Sequence, residues 1–247
     1  MKILALDSSG LVASVAIMED DTLTAEYTIQ YKKTHSQTLL PMLDEIGKMI
    51  ELDLNTIDAI AVAAGPGSFT GLRIGSATAK GLGLALKKPL IAVPTIEGLA
   101  YNMYGSSQLI CPIMDARRGQ VYTGVFEFLE TREEHMFGTI SYEFQTIISR
   151  CAVTMDEMIL RLNELGRSVA FVGDGIPVFA DKIKEDLKVP YLLAPAHRNR
   201  QSAASVAMLA QIYYRQGKIQ TAQEHQPEYL RLSQAERERI EQQKQQC

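Results

Sequence analysis

The feature that most constrains the fold of this chain is a strand–turn–helix pattern between residues 57 and 86. Residues 57–64 are almost entirely apolar, which predicts a buried strand, and Gly65-Pro66-Gly67 ends it abruptly. A helical pattern begins almost at once, with Ser68 and Thr70 as candidate N-caps. A buried strand followed directly by a helix is typical of α/β proteins, and the turn presents backbone N–H groups that could hold an anion.

The glycines of this turn do not match the known phosphate-binding signatures. A P-loop needs G-x-x-x-x-G-K-[ST], and no Lys-Ser or Lys-Thr follows these glycines. The dinucleotide fingerprint needs G-x-G-x-x-G, whereas Gly65, Gly67 and Gly71 are spaced two and then four apart. Arg73 could reach an anion, but an arginine in the first helical turns is usually solvated or ion-paired. We therefore favour a structural role for the turn over direct phosphate binding.

The helix that follows the turn has one face without bulky side chains. Gly71, Gly75 and Ala79 recur at helical spacing, so another helix could approach this face closely. Its remaining positions, such as Leu72 and Ile74, make it apolar nearly all round. A helix of this kind is buried on more than one side, either within its own domain or against a partner.

An earlier helix is predicted from Thr34 onward, where Thr34 and Gln37 match a capping box. Pro41 lies inside this helix and removes one backbone hydrogen bond, which predicts a kink or a later start. An apolar stripe runs along the helix, and it could pack on the chain's own sheet or on a partner. The stripe consists of Leu39, Leu43, Ile46 and Ile50.

Further elements are predicted along the chain. Strands are expected at 2–6, 12–18, 23–31, 90–93, 109–114, 120–128 and 169–172, and helices after residue 95, at 154–165 and at 202–216. The small, polar residues 105–107 are a candidate domain boundary. The polar tail from Gln234 is expected to be a solvated or frayed helix. No internal sequence repeat is found.

The segment GPGSFTGLRIG at residues 65–75 closely resembles the signature of the TsaB (YeaZ) family. The resemblance covers essentially the whole chain, because shorter segments agree in the same order at 3–9, 35–42, 94–95, 114–119 and 227–231. It implies an α/β fold of the ASKHA (actin/Hsp70/sugar-kinase) type, in which two lobes repeat one unit. We expect the lobes at 1–106 and 107–247.

The resemblance also implies a function. TsaB proteins are non-catalytic partners of the transferase TsaD, which installs threonylcarbamoyl on the tRNA adenosine beside the anticodon. It implies a TsaE-like ATPase as a second partner, contact with tRNA only through the complex, and a homodimer as one state of the isolated protein. The alternative is a stand-alone ATP-dependent kinase or metallopeptidase-like enzyme of the same fold.

The resemblance further implies that two helices contact the TsaD-like partner. The residues assigned to this interface are Leu39, Leu43, Ile46, Ile50, Phe69, Thr70, Gly71, Arg73, Gly75, Thr78 and Leu82.

A nucleotide site of ASKHA proteins would use Asp-containing turns from both halves of the chain. The first turn, Asp7-Ser8-Ser9-Gly10, suits Mg²⁺-bound water and phosphate oxygens. The second half offers Asp115, Gly173 and Gly175, but Arg117 and Arg118 stand where a compact Gly/Thr loop is expected. We expect weak ATP or ADP binding at most, and no required cofactor.

A catalytic metal site is not expected. The related transferase TsaD holds its metal with a His-x-x-x-His pair on a helix, whereas His35 here is followed four residues later by Leu39. His35 is then a helix N-terminal or surface residue. No G-x-S-x-G nucleophile elbow is present either.

Composition restricts the setting and the partners. The net charge of −4 does not suit a dedicated nucleic-acid-binding module, so we expect another subunit to supply most phosphate contacts. The three cysteines are far apart, as is typical of reduced thiols. Only four apolar residues separate Lys2 from Asp7, too few for a signal peptide, and no run is long enough to span a membrane. A cytosolic protein is expected.

Overall fold

The structure is a computed structural model that describes residues 1–31, 33–131 and 140–230. The tail predicted from Gln234 lies outside the described residues. Within the described residues, the strands form two five-stranded sheets and no helix is long and apolar enough to cross a membrane.

The first sheet has the order β3-β2-β1-β4-β5. Its strands are β1 (Lys2–Asp7), β2 (Ala13–Glu19), β3 (Thr22–Ile29), β4 (Ala59–Gly65) and β5 (Leu90–Pro94). The first three form an antiparallel meander, and β4 and β5 extend it in parallel with β1. The central strands are apolar on both faces, since helices cover both sides of the sheet.

The second sheet repeats this arrangement with the order β10-β9-β6-β7-β8. Its strands are β6 (Leu109–Asp115), β7 (Gln120–Thr131), β8 (Ser141–Thr154), β9 (Val169–Val172) and β10 (Tyr191–Leu193). Here β6, β7 and β8 form the antiparallel meander, while β9 and β10 run parallel to β6. The two halves therefore share one topology, as the family resemblance implied.

Six α-helices cover the sheets in the described part of the chain. They are α1 (His35–Met49), α2 (Phe69–Leu86), α3 (Thr95–Tyr101), α4 (Met155–Leu165), α5 (Ile176–Asp186) and α6 (Ala203–Arg215). Helix α1 begins at His35 and contains Pro41, so its start is not delayed. The predicted capping box is wrong, because the Thr34 side chain makes no capping hydrogen bond and lies against the Ser36 hydroxyl instead.

Helices α1 and α2 cover one face of the first sheet, and α6 covers the other. Helix α6 belongs to the second half of the sequence. Its packing on the first sheet therefore joins the two sides of the boundary expected near residue 106. One apolar cluster contains side chains from both sheets, including Ile3 of β1 and Phe171 of β9. The division into lobes at 1–106 and 107–247 stays a prediction.

Candidate functional site

In the turn after β1, the Asp7 carboxylate accepts hydrogen bonds from the turn itself. Asp7 is only 2% exposed, and its Oδ1 accepts hydrogen bonds from the Ser9 backbone N–H at 2.8 Å and the Ser9 hydroxyl at 2.6 Å. Burial raises the pKa of Asp7 to about 6, and the two hydrogen bonds from Ser9 oppose this rise. The Asp7 side chain is therefore engaged within its own turn, which is the common role of an aspartate in such a position.

The glycine-rich turn after β4 packs directly on the Asp7 turn. The Ser68 N–H donates to the Ser9 carbonyl at 2.7 Å, and a Cβ on Gly67 would lie 2.3 Å from the same oxygen. Ser68 is the N-cap of α2, and its hydroxyl accepts the Gly71 N–H at 3.3 Å. These contacts support the structural role that the glycine spacing indicated.

The small face of α2 is occupied by the chain itself. The Ser8 hydroxyl donates to the Gly71 carbonyl at 2.9 Å, and a Cβ on Gly71 would lie 2.0 Å from the Ser8 carbonyl oxygen. A Cβ on Gly75 would lie 2.5 Å from Ser8 Oγ. The assignment of Gly71 and Gly75 to a partner interface is thus corrected, because these glycines admit the Asp7 turn rather than another protein.

The apolar stripe of α1 also faces inward. Leu39, Leu43 and Ile46 are at most 7% exposed and pack in the core beneath the first sheet, with Ile50 half-buried beside them. The assignment of Leu39, Leu43 and Ile46 to the interface is corrected for the same reason, whereas that of Ile50 stays a prediction. The large apolar side chains of α1 that are exposed are instead Leu40, at 53%, and Met49, at 81%.

The outer face of α2 remains open to solvent. Thr70 and Arg73 are exposed, while Phe69, Thr78 and Leu82 are half-buried. Ala77, Gly81, Leu84 and Ala85 are exposed on this helix as well, although the sequence prediction assigned none of them to the interface. The helical spacing of small residues at 77, 81 and 85 was the available signal.

A groove of about 450 Å³ runs between α1 and α2. Leu40, Gly47, Leu52 and Leu82 form its apolar lining. A Cβ placed on Gly47 or on Gly81 of the outer face would meet no atom within 4 Å, so both positions are open. We call Leu40, Gly47, Ala77, Gly81 and Leu82 the α1/α2 face.

In the turns of the second half, the aspartate side chains also form hydrogen bonds and an ion pair within the protein. Asp115 accepts the Arg117 N–H at 2.8 Å and pairs with the Arg117 guanidinium at 3.1 Å. Asp174 accepts the Asp115 N–H at 3.2 Å, and burial raises the pKa of Asp174. Gly173 has φ +124°, and a Cβ on it would lie 2.3 Å from the Ile113 carbonyl oxygen. A Cβ on Gly175 would lie 2.9 Å from the same oxygen. These glycines let the loop approach β6.

A cleft of about 330 Å³ lies between the two Asp-containing turns. Ser9 and Gly10 line it from the first half, and Asp115 and Asp174 line it from the second. Asp7 and Ser8 are buried beneath the first turn, and Gly173 and Gly175 are buried beside the second. The structure therefore brings the predicted nucleotide residues to one place, although their polar groups are largely satisfied within the protein.

A segment that sequence reasoning did not assign to the cleft closes one side of it. The Glu228 N–H donates to the Ala64 carbonyl at 2.7 Å, and the Glu228 carboxylate pairs with Arg150 at 2.6 Å. The Tyr229 ring lies 4.9 Å from the ring of Phe69, and its hydroxyl accepts from Arg73 at 3.4 Å. We call residues 219–230 the C-terminal strap. The matched segment at 227–231 was its only sequence signal.

The histidine expected at a helix start is found there. His35 is the first residue of α1, and its Nε2 lies 3.0 Å from the Gly10 carbonyl oxygen. In the part of the chain that the structure describes, no three His, Cys, Asp or Glu side chains are grouped so that they could hold a metal ion.

The duplicated sheet order, with a cleft between two Asp-containing turns, defines a protein of the ASKHA class. Residues 22–239 match the family model described as TsaD, tRNA N6-adenosine threonylcarbamoyltransferase. The chain is also 32% identical over 246 residues to the tRNA threonylcarbamoyladenosine biosynthesis protein TsaB of Bacillus subtilis (strain 168), covering 99% of this chain and 100% of that protein. The chain belongs to the TsaB family.

Two further comparisons agree with this assignment. TsaB of Escherichia coli (strain K12) is 30% identical over 237 residues, which cover 94% of this chain and 95% of that protein. The solved structure of YeaZ from Pseudomonas aeruginosa has a TM-score of 0.72 and 25% sequence identity, covering 93% of this chain and 100% of that chain.

Proposed function

We propose that this protein is a non-catalytic subunit of tRNA threonylcarbamoyladenosine biosynthesis that binds and supports a TsaD-like transferase. The relatives named TsaB give the pathway, and the α1/α2 face is the observation that supports the binding role. Leu40, which is 53% exposed, and half-buried Leu82 line the same groove between α1 and α2. Exposed apolar side chains in a groove rimmed by charged residues, here Asp44, Lys48 and Glu51, are typical of a protein–protein contact.

The arrangement of the cleft supports a non-catalytic role. Asp115, which lines the cleft, pairs with Arg117, and Asp7, which is buried beneath the first turn, accepts hydrogen bonds from Ser9. A nucleotide with Mg²⁺ would have to displace these hydrogen bonds, which weakens its binding. We therefore propose weak ATP or ADP binding at most.

The remaining partners follow from the same proposal. A TsaE-like ATPase is the second protein partner, and tRNA is engaged through the assembled complex in the cytoplasm. In the absence of the transferase, a second copy of this chain would cover the α1/α2 face and form a homodimer. Open positions such as Gly47 and Gly81 allow a partner helix to approach closely.

The test compares two exposed leucines on different helices. Leu40 on α1 and Leu160 on α4 are 53% and 63% exposed, so a glutamate at either site should leave the fold intact. We expect Leu40→Glu to weaken binding to the TsaD-like protein at least about tenfold in calorimetry, because a charge is buried at the contact. Leu160→Glu should bind normally. Normal binding by Leu40→Glu would exclude the α1/α2 face as the contact.

A further inference from the structure

The β6–β7 turn holds two arginines in a backbone conformation that arginine rarely adopts. Arg117, Arg118 and Gly119 have φ values of +66°, +57° and +71°, so three consecutive residues are left-handed. Glycine or asparagine would form this turn at lower cost in free energy. Strain of this kind is found where a side chain is needed for something other than the turn itself.

Both arginine side chains extend into solvent. The Arg117 side chain is 82% exposed even though it pairs with Asp115. Arg118 is also exposed, and its guanidinium makes no hydrogen bond or ion pair with any residue in the described ranges 1–31, 33–131 and 140–230. The turn therefore presents at least one full positive charge beside the cleft.

A second basic loop ends at the same edge of the sheet. Strands β6, β9 and β10 are parallel neighbours in the second sheet, about 4.8 Å apart. The loops that follow these strands therefore emerge at the same edge of the sheet, where the carboxyl ends of the strands lie. The loop after β10 contains His197, Arg198 and Arg200. Arg200 is held by Gln30 at 3.1 Å, whereas the Arg198 guanidinium has no partner among the described residues.

The acidic groups beside these arginines are engaged within the protein, and the exposed one, Glu26, accepts from the Ser202 hydroxyl at 2.7 Å and the Ala204 N–H at 3.2 Å. The Asp115 side chain is 15% exposed and bound to Arg117, and half-buried Asp174 accepts the Asp115 N–H. The Arg118 and Arg198 guanidinium groups are therefore positive charges that no described acidic group neutralises, on a chain whose net charge is −4. This separation of charge makes the edge attractive to a polyanion.

We propose that this edge, formed by Arg117, Arg118, His197, Arg198 and Arg200, contacts the phosphate backbone of RNA bound by the complex. Guanidinium groups donate paired hydrogen bonds that fit phosphate oxygens, and two unpaired arginines on separate loops can each bind a phosphate. The contact is independent of base sequence. The inference rests on the proposed function and revises the expectation that tRNA contacts come only from other subunits.

The experiment uses the complex of the full chain with its TsaD-like partner and unmodified tRNA. Binding is measured between about 50 and about 200 mM salt, because the slope of log K against log salt counts phosphate contacts. The variant is R118N/R198Q, since asparagine tolerates the left-handed turn. The control is K184Q/K188Q, which removes two exposed charges at the opposite edge of the sheet, at the end of α5 and before β10.

We expect R118N/R198Q to reduce the salt slope by about one unit per arginine, and the control to keep the wild-type slope. Binding of the TsaD-like protein should be unchanged in both variants. A wild-type slope in R118N/R198Q, or an equal reduction in both variants, would overturn the proposed RNA contact while leaving the subunit role intact. Failure of the wild-type chain to bind the transferase would overturn both proposals.

A membrane surface is the competing polyanion. Vesicles of phosphatidylglycerol and phosphatidylcholine distinguish it, because the free chain needs no transferase to bind them. Vesicle binding that R118N/R198Q abolishes, together with unchanged tRNA binding, would assign the edge to lipid and overturn the inference. Unchanged vesicle binding with a reduced tRNA slope supports RNA.

Discussion

At the residue scale, the carboxyl group of Asp7 is buried and its pKa is strongly shifted. Its pKa is about 6 in the folded protein, against 3.8 for an ordinary aspartate. Below pH 3.8 both folded and unfolded chains carry the proton, so the group does not affect stability. Between pH 3.8 and about pH 6 the unfolded chain has released the Asp7 proton while the folded chain still holds it. The free energy of unfolding therefore falls as pH rises through this window, by about 3 kcal/mol in total.

Asp7→Asn should remove this pH dependence. Its amide oxygen can still accept from Ser9, but its NH₂ group is buried and offsets part of the gain. At pH 7.5 we expect the variant to be about 1–3 kcal/mol more stable than wild type in urea unfolding. At pH 4 the gain should vanish. Asp21→Asn, at an exposed hairpin position, is the control; a gain for Asp7→Asn that does not change with pH would contradict the buried-charge explanation.

Two glycines of α2 should respond in opposite ways to the same change. At Gly71 a Cβ would lie 2.0 Å from the Ser8 carbonyl oxygen, so Gly71→Ala must displace backbone and should cost about 1–3 kcal/mol. At Gly81 a Cβ meets nothing within 4 Å, so Gly81→Ala should stabilise by about 0.5–1 kcal/mol through helix propensity. Denaturant unfolding measures both. Equal effects at the two sites would show that α2 does not rest on the Asp7 turn.

At the scale of elements, buried parallel strands were the easiest to predict. Strands β4 and β9 are apolar on both faces, and sequence patterns located both within two residues at each end. Strand β8 was missed, since it is an edge strand whose half-buried residues mix polar and apolar types. Helix α5 was missed as well, although Pro177 near its start is a residue that first turns accept.

The candidate site was predicted less well than the elements that carry it. Periodicity identified the apolar faces of α1 and α2, but it could not say which face meets the chain's own sheet. Ser8 fills the glycine face through contacts more than 60 residues apart in sequence, as the Ser8–Gly71 separation of 63 shows. The C-terminal strap was missed for the same reason, because Glu228 reaches Arg150 across 78 residues.

The strap should open from its cleft end when its aromatic contact is removed. Tyr229→Ala deletes the contact with Phe69 and the acceptor of Arg73, and such an aromatic pair contributes about 0.5–1.5 kcal/mol. We expect faster hydrogen exchange at the Glu228 amide, which donates to Ala64. The Gln220 amide, which donates to Leu90 at the other end of the strap, should be unaffected. Equal acceleration of both amides would mean that the strap opens as one unit.

At the scale of the whole molecule, the two halves repeat one topology but share their interior. Helix α6 of the second half buries Ala203, Val206 and Ala207 completely while it covers the first sheet. Glu97 of α3 ties the halves further, because it accepts from the Tyr213 hydroxyl of α6 and pairs with Arg150 of β8 at 3.3 Å. In the described residues, packing contacts therefore cross the boundary expected near residue 106.

This shared interior predicts that neither half folds alone. A fragment of residues 1–106 would expose the face of the first sheet that α6 covers, leaving Ile3, Ala5 and Ile91 in water although each is fully buried in the intact chain. We expect this fragment to show no cooperative thermal transition, and the full chain to unfold in a single one. Co-expression with residues 107–247 should restore a soluble complex. A cooperative transition in the isolated 1–106 fragment would instead mean that the first sheet is a self-sufficient domain and that α6 contributes only a docking contact.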